Sequence, residues 1–192
     1  SGDGAEFNDI MLGLGTHLDL SGLPEMQAAV GRPLISPLLT AVLLPHSRGA
    51  VTLVSANPLV APQIELNLLS ERTDMSRMIE GVRLAWELAQ GETPLRDRLD
   101  EVALLNAGIV EDDSALEGYI RDVVSTTFHP VGSCRMGPDR DDSAVVDQQL
   151  RVRGVEGLRV ADASVMPTIP RANTNLTSIM IGERAADLVA GA

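Results

Sequence analysis

Few residues in this sequence have side chains able to do chemistry, and their spacing narrows the choice further. There are three histidines, His17, His46 and His129, and one cysteine, Cys134. No His-x-x-x-His or Cys-x-x-Cys spacing occurs, and the histidines lie far apart, so no metal site is expected. Ser133 and Cys134 follow His129 closely, but Gly132-Ser133-Cys134 lacks the second glycine of a nucleophile elbow. A lone cysteine is more often a small buried apolar group than a nucleophile. Gly13-Leu14-Gly15 could open a phosphate-binding turn, yet the position for a third glycine is Leu18, and Asp19 to Pro24 does not open a helix. We read that segment as a turn.

What remains is His129, at the head of His129-Pro130-Val131-Gly132-Ser133-Cys134-Arg135-Met136-Gly137, and the polar stretch Arg171-Ala172-Asn173-Thr174-Asn175. A neutral imidazole can take a proton near pH 7. An asparagine amide donates and accepts hydrogen bonds but does not titrate.

The elements that must hold these residues are legible in part. Leu38 to Leu44 is an apolar run closed by Pro45-His46-Ser47-Arg48-Gly49, and Val51, Leu53 and Ile64 to Leu66 resume an extended pattern, which predicts a hairpin and further sheet. From Asp74 to Ala89 the spacing of Met75, Met78, Ile79, Val82, Ala85, Trp86 and Ala89 predicts an amphipathic helix, with Trp86 and the methionines in the core. Leu95 to Leu104 suggests a short helical segment. Ser114 and Glu117 spell a capping box for a helix ending near Ser125. Phe128 to Thr168 is turn-rich, with short β-prone pieces at Val145–Val146, Leu150–Val152 and Leu158–Ala161. Leu176 to Val189 reads as a last helix, with Asn173 or Thr174 available to cap it and Gly191 beyond its end.

At 192 residues with 44% apolar and 22% charged residues, the chain can bury one substantial core. Aromatic content is 2%, leaving no stacking platform for single-stranded nucleic acid, and the net charge of −12 repels phosphate backbones. Nucleic acid is therefore not an expected partner. No apolar run approaches the ~20 residues of a membrane span. A single cysteine makes a reducing compartment the simpler expectation, and the cytoplasm the expected location, with membrane association of a full-length protein left open.

The stretch from His129 to Gly137 resembles the His-Pro-x-Gly-Thr-x-Arg-Met-Gly signature of the glucose-methanol-choline (GMC) oxidoreductases, with Ser133 in place of the commoner threonine. Two further blocks follow in order. The first runs through Val145-Val146-Asp147, Arg151-Val152-Arg153-Gly154 and Leu158 to Thr168. The second runs from Asn173-Thr174-Asn175-Leu176-Thr177 into Ile179 to Leu188. Upstream, Pro45 to Gly49 and Glu80-Gly81-Val82-Arg83 are similar more loosely, so the resemblance covers Leu38 to Gly191.

The resemblance implies an α+β fold, with a mostly antiparallel or mixed sheet covered by helices and without a complete dinucleotide-binding domain. It divides the chain into an unassigned segment (1–37), substrate-domain sheet and helices (38–127) and a region carrying the histidine motif, flavin-contacting loops and last helix (128–192). It implies FAD as cofactor, held mostly by an N-terminal flavin-binding domain absent from this sequence, so that the chain alone is expected to be inactive. His129 would be the base that takes the hydroxyl proton of a small alcohol as hydride leaves for flavin N5. Asn173 would orient substrate and stabilise the developing alkoxide. Asp162, Ala163, Thr174, Asn175 and Leu176 would contact the cofactor. A homodimer through an exposed surface is a further expectation. The competing readings are a non-catalytic binding module that keeps the fold, and an acyl-transfer hydrolase using Ser133 or Cys134, for which no oxyanion hole can be named.

Overall fold

The computed structural model describes residues 9–99 and 104–191. Strand β1 (Ile10–Leu14) pairs antiparallel with β4 (Leu38–Val42), Ile10 facing Val42 and Leu14 facing Leu38. Between them β2 (Leu18–Asp19) pairs with β3 (Leu34–Ile35) around helix α1 (Pro24–Val30). Sequence reading found no helix there. The signal was Pro24 at the first helical position, where its missing N–H is no loss, with Gly31 at the other end. Nor is Gly13-Leu14-Gly15 a turn: its first two residues are strand. Gly15 donates its N–H to Pro37 O, and a Cβ on it would sit 2.9 Å from Pro37 Cγ, so this glycine permits close approach of two backbones.

The predicted hairpin between the Leu38 run and Val51 does not form. Leu43 N–H continues the ladder to Asp9 O, so β4 is committed to β1, while β5 (Ala50–Thr52) pairs antiparallel with β6 (Gln63–Glu65). The intervening turn is bound to helix α2 (Arg72–Gln90) instead. Asp74, with no exposed surface, accepts hydrogen bonds from His46 N–H, Ser47 N–H and Ser47 Oγ at 2.6–3.0 Å, and Arg77 bridges it to Asp9 and Leu44 O. The amphipathic pattern that predicted α2 omits this residue's role, because an aspartate at a helix start reads equally well as a solvated first-turn charge.

Helix α2 lies on the β1–β4 sheet so closely that a Cβ on Gly81 would come 2.5 Å from Thr40 Cγ2. Its buried Met75 and Ile79 pack with Leu69 and with Leu116 and Ile120 of helix α4 (Asp113–Val123), which follows the short α3 (Ala107–Glu111). Met75 is core, as expected, and Trp86 is half-buried. The cap of α4 is Asp112, whose carboxylate accepts from Ala115 N–H, rather than Ser114. Glu117 accepts from Arg72 and Arg121 instead of closing a capping box. Of the segment Leu95 to Leu104, Arg96–Arg98 form one 3₁₀ turn; residues 100–103 lie outside the described residues, as does Phe7.

These elements make one compact unit, spanning residues up to Arg48 and Leu68–Ser125. Gly49–Asn67 and the residues from Thr126 onward make a second. The division therefore assigns β5 and β6 to the unit that holds His129. In the second unit, Val146 and Leu150 pack with Val165, Met166, Ile181 and Ala185, the last two from helix α5 (Asn175–Ala190). The β-prone pieces meet only as isolated bridges, Met136 with Val146, Val146 with Val152 and Arg151 with Arg159. The chain is thus α+β with short antiparallel sheets, as the resemblance implied. No helix among the described residues is long and apolar enough to cross a membrane.

The Asp74 cluster yields a stability prediction. Burial raises the carboxyl's pKa, but the hydrogen bonds from Ser47 Oγ, His46 N–H and Ser47 N–H, with the Arg77 charge, outweigh it and hold the group below the ordinary aspartate value. A depressed folded pKa gives stability that is fully present above the unfolded value of about 4 and is lost as pH falls through the folded one. Asp74→Asn, which places an amide among donors, should cost about 2–4 kcal/mol at pH 6. It should also flatten the acid limb of the stability curve below pH 4. Urea unfolding of both proteins from pH 6 to pH 2 checks this, and equal stability at pH 6 would refute it.

Candidate functional site

All seven residues singled out in the sequence belong to the second unit. His129 is delivered by an irregular segment rather than a helix end. Phe128, 81% exposed, has φ +61°, an uncommon conformation for a bulky residue, and its N–H bonds Thr126 Oγ1. Pro130 restricts His129 to extended backbone from the other side. Downstream, Cys134 N–H donates to Ser164 O and Met136 N–H to Val165 O, tying the motif to the 3₁₀ turn Ala163–Val165. That turn packs on α5. The local ladder explains why a stretch with so little regular structure can hold a side chain in place.

The imidazole of half-buried His129 has a partner on each nitrogen. Asn173 Nδ2 lies 3.0 Å from Nε2, and Thr174 Oγ1 lies 3.0 Å from Nδ1. Asn173 is exposed, whereas Thr174 retains only 8% of its surface. The pair His129 and Asn173, separated by 44 positions in sequence, is thus brought together directly. Thr174 precedes α5 in helical backbone, φ −71° and ψ −9°, and makes no side-chain cap. Neither it nor Asn173 caps the helix by side chain, contrary to the structural role considered for them.

The other predicted contacts lie on adjoining elements. Asp162 caps the 3₁₀ turn through Ser164 N–H, is exposed, and is followed by half-buried Ala163. Asn175 and Leu176 occupy the first turn of α5 and are exposed, Leu176 at 77%. No side chain caps the helix, which leaves its first-turn amides without a side-chain acceptor. Cys134 is a half-buried free thiol. Arg135, unassigned in sequence, pairs with Asp141 and Ser143, which holds the Asp141 carboxyl, with the Ser143 hydroxyl the leading cause, below its usual range. Asp147 takes Arg151 and Gln149 within its own turn, as its structural reading had it. Among the described residues no group of three His, Cys, Asp or Glu is arranged to hold a metal ion.

The arrangement is an imidazole nitrogen 3.0 Å from an amide nitrogen, in the same unit as the start of α5 and the exposed Asp162 carboxylate. Such a group can accept a proton at one point and support negative charge next to it.

Known proteins resemble the chain in sequence and in structure. Residues 45–182 match the C-terminal family model described as GMC oxidoreductase. The chain is 46% identical over 155 residues to an uncharacterized GMC-type oxidoreductase of Mycobacterium tuberculosis, covering 80% of this chain and 28% of that protein. It is 42% identical over 146 residues to the oxygen-dependent choline dehydrogenase of Vibrio vulnificus, covering 76% and 26%. The structure of Aspergillus oryzae formate oxidase, in a variant studied for its FAD modification, superposes with a TM-score of 0.74 at 33% identity, over 83% of this chain and 27% of that one. The chain therefore spans about a quarter of the length of its curated relatives. With most of its length matched by the family model, this chain belongs to the GMC oxidoreductase family, as part of the C-terminal region.

Proposed function

We propose that this chain is the substrate-side part of an FAD-dependent alcohol oxidoreductase in which His129 is the base and Asn173 its partner. The observation that carries the reading is the 3.0 Å approach of Asn173 Nδ2 to His129 Nε2 on the exposed side of the imidazole. An amide nitrogen only donates, so Nε2 carries the lone pair. An alcohol oxygen entering between the two groups would give its proton to Nε2 and take the Asn173 N–H in exchange. The same two atoms thereby remove the proton and stabilise the oxygen that loses it. The flavin, when bound, supplies a two-electron acceptor for hydride from the carbinol carbon.

The residues present fit such a cofactor. The exposed carboxylate of Asp162 suits ribityl hydroxyls, and the uncapped amides of the α5 first turn at Asn175 and Leu176, at the positive end of a 16-residue helix, suit a ring carbonyl that gains negative charge. Thr174 faces His129 rather than outward, and its contribution to the cofactor would run through its backbone. The remaining contacts to FAD belong to the N-terminal flavin-binding domain of the full-length protein, which is the partner this reading requires. A dimer formed through the exposed apolar residues of α5, among them Ile179 and Met180, is a further part of the proposal. The substrate class is a small alcohol, and choline, named for one relative, belongs in any first panel.

Anaerobic mixing of the full-length protein with a panel of small primary alcohols tests the reading. Bleaching of the oxidised flavin band by at least one of them is expected. A flavin that stays oxidised with every alcohol but is bleached by dithionite would favour the non-catalytic binding module.

A further inference from the structure

A threonine in front of a helix ordinarily turns its hydroxyl onto the first-turn amides. Thr174 does not: its backbone is already helical, it makes no side-chain cap, and its buried Oγ1 meets His129 Nδ1 at 3.0 Å. The second observation is independent. Because Asn173 Nδ2 donates to Nε2, the proton of the neutral ring is on Nδ1, and Thr174 Oγ1 is its acceptor. In the other tautomer Nε2–H would confront the Asn173 N–H, two donors face to face, and the ring would have no lone pair on the exposed side.

We propose that Thr174 is a positioning residue for His129: its hydroxyl accepts the Nδ1 proton of the tautomer that the Asn173 amide selects, and so holds the ring with the Nε2 lone pair left for the substrate. The proposal rests on the reading of His129 as the base. The hydroxyl keeps this role through the reaction, since Nδ1 donates in both the neutral and the protonated ring. It also stiffens the ring against rotation, and because Thr174 directly follows Asn173, one short segment orients both partners of the imidazole. A neutral hydroxyl achieves this without a counter-charge beside the ring.

The test uses the full-length flavoprotein with Thr174→Val, which removes the hydroxyl at nearly constant shape, and Thr174→Ser, which keeps it. Flavin reduction at saturating alcohol should slow about 10-fold in Thr174→Val with little change in KM, the usual scale for an outer orienting partner, and Thr174→Ser should recover most of the rate. Two-bond ¹H–¹⁵N spectra of ¹⁵N-histidine-labelled protein should show a single Nδ1–H tautomer of the His129 ring in the wild type and a mixture of ring states in Thr174→Val, whose Nδ1–H has lost its acceptor. Added to His129→Ala, Thr174→Val should slow reduction no further, since it acts through the ring. An unchanged ring spectrum in Thr174→Val, or a Thr174→Ser protein as slow as Thr174→Val, would overturn the role of Thr174. A His129→Ala protein reducing at the wild-type rate would instead overturn the base reading beneath it.

Discussion

His129→Ala in the full-length flavoprotein should slow alcohol oxidation by ~10²–10⁴-fold, the range spanned by a positioned acid or base. The loss should appear in the rate of flavin reduction at saturating alcohol, because a base proposed to remove a proton acts in the transition state rather than in ground-state binding. Flavin content should be largely retained: the 3₁₀ turn Ala163–Val165 and helix α5, through Ile181 and Ala185, are anchored in the Val146 to Ala185 core, which the substitution leaves intact. Normal turnover in that variant would remove His129 from the role given to it.

Asn173→Ala should cost less, about 10–100-fold, because water can replace one hydrogen-bond donor but not a base in the right place. Exposure of Asn173 makes that replacement easy. The loss should again be in turnover, and Asn173→His, which restores a ring N–H donor at the same position, should recover part of it. Kinetics in which Asn173→Ala is the more damaging of the two would reverse the division of labour between the residues.

The fold class and the strings around the candidate site were legible in the sequence, and for the strings the reason is local. His129 with its flanking Pro130, Gly132, Arg135 and Met136, and Asn173 with its neighbours, are short continuous strings whose residue types are set by what they must hold, so a string is enough to find them. The long helix α2 was legible for a similar reason, since a repeat of buried positions over several turns is hard to produce by accident. Strand partners were not. Leu38 to Val42 has the same alternation whether it pairs with Ile10–Leu14 or with a strand after Gly49, and the choice is made by Asp74, 30 or so residues away, which claims the amides of His46 and Ser47. Asp112 and Ser114 compete for one helix start, and the backbone angle that decides between them is not written in either residue. From sequence the hydroxyl of Thr174 reads as a helix cap, because its partner in the fold, His129 Nδ1, lies 45 positions away.

The interleaving of the two units has a consequence for biosynthesis. Gly49–Asn67 leaves the ribosome well before Thr126 and the residues that follow, although it belongs to their unit, and Leu68–Ser125 comes between. At ~5–20 residues per second the delay is about 3–12 s, long against the microseconds to milliseconds in which helices and small cores form. The first unit can close its core of Met75, Ile79, Leu116 and Ile120 while β5 and β6 wait as a displayed loop with Leu53 and Leu59 in water. Asn173 comes later still, so the nascent chain can fold the first unit before His129 meets its partner, and a premature stop anywhere between Ser125 and Asn173 would release a first unit without the His129–Asn173 pair.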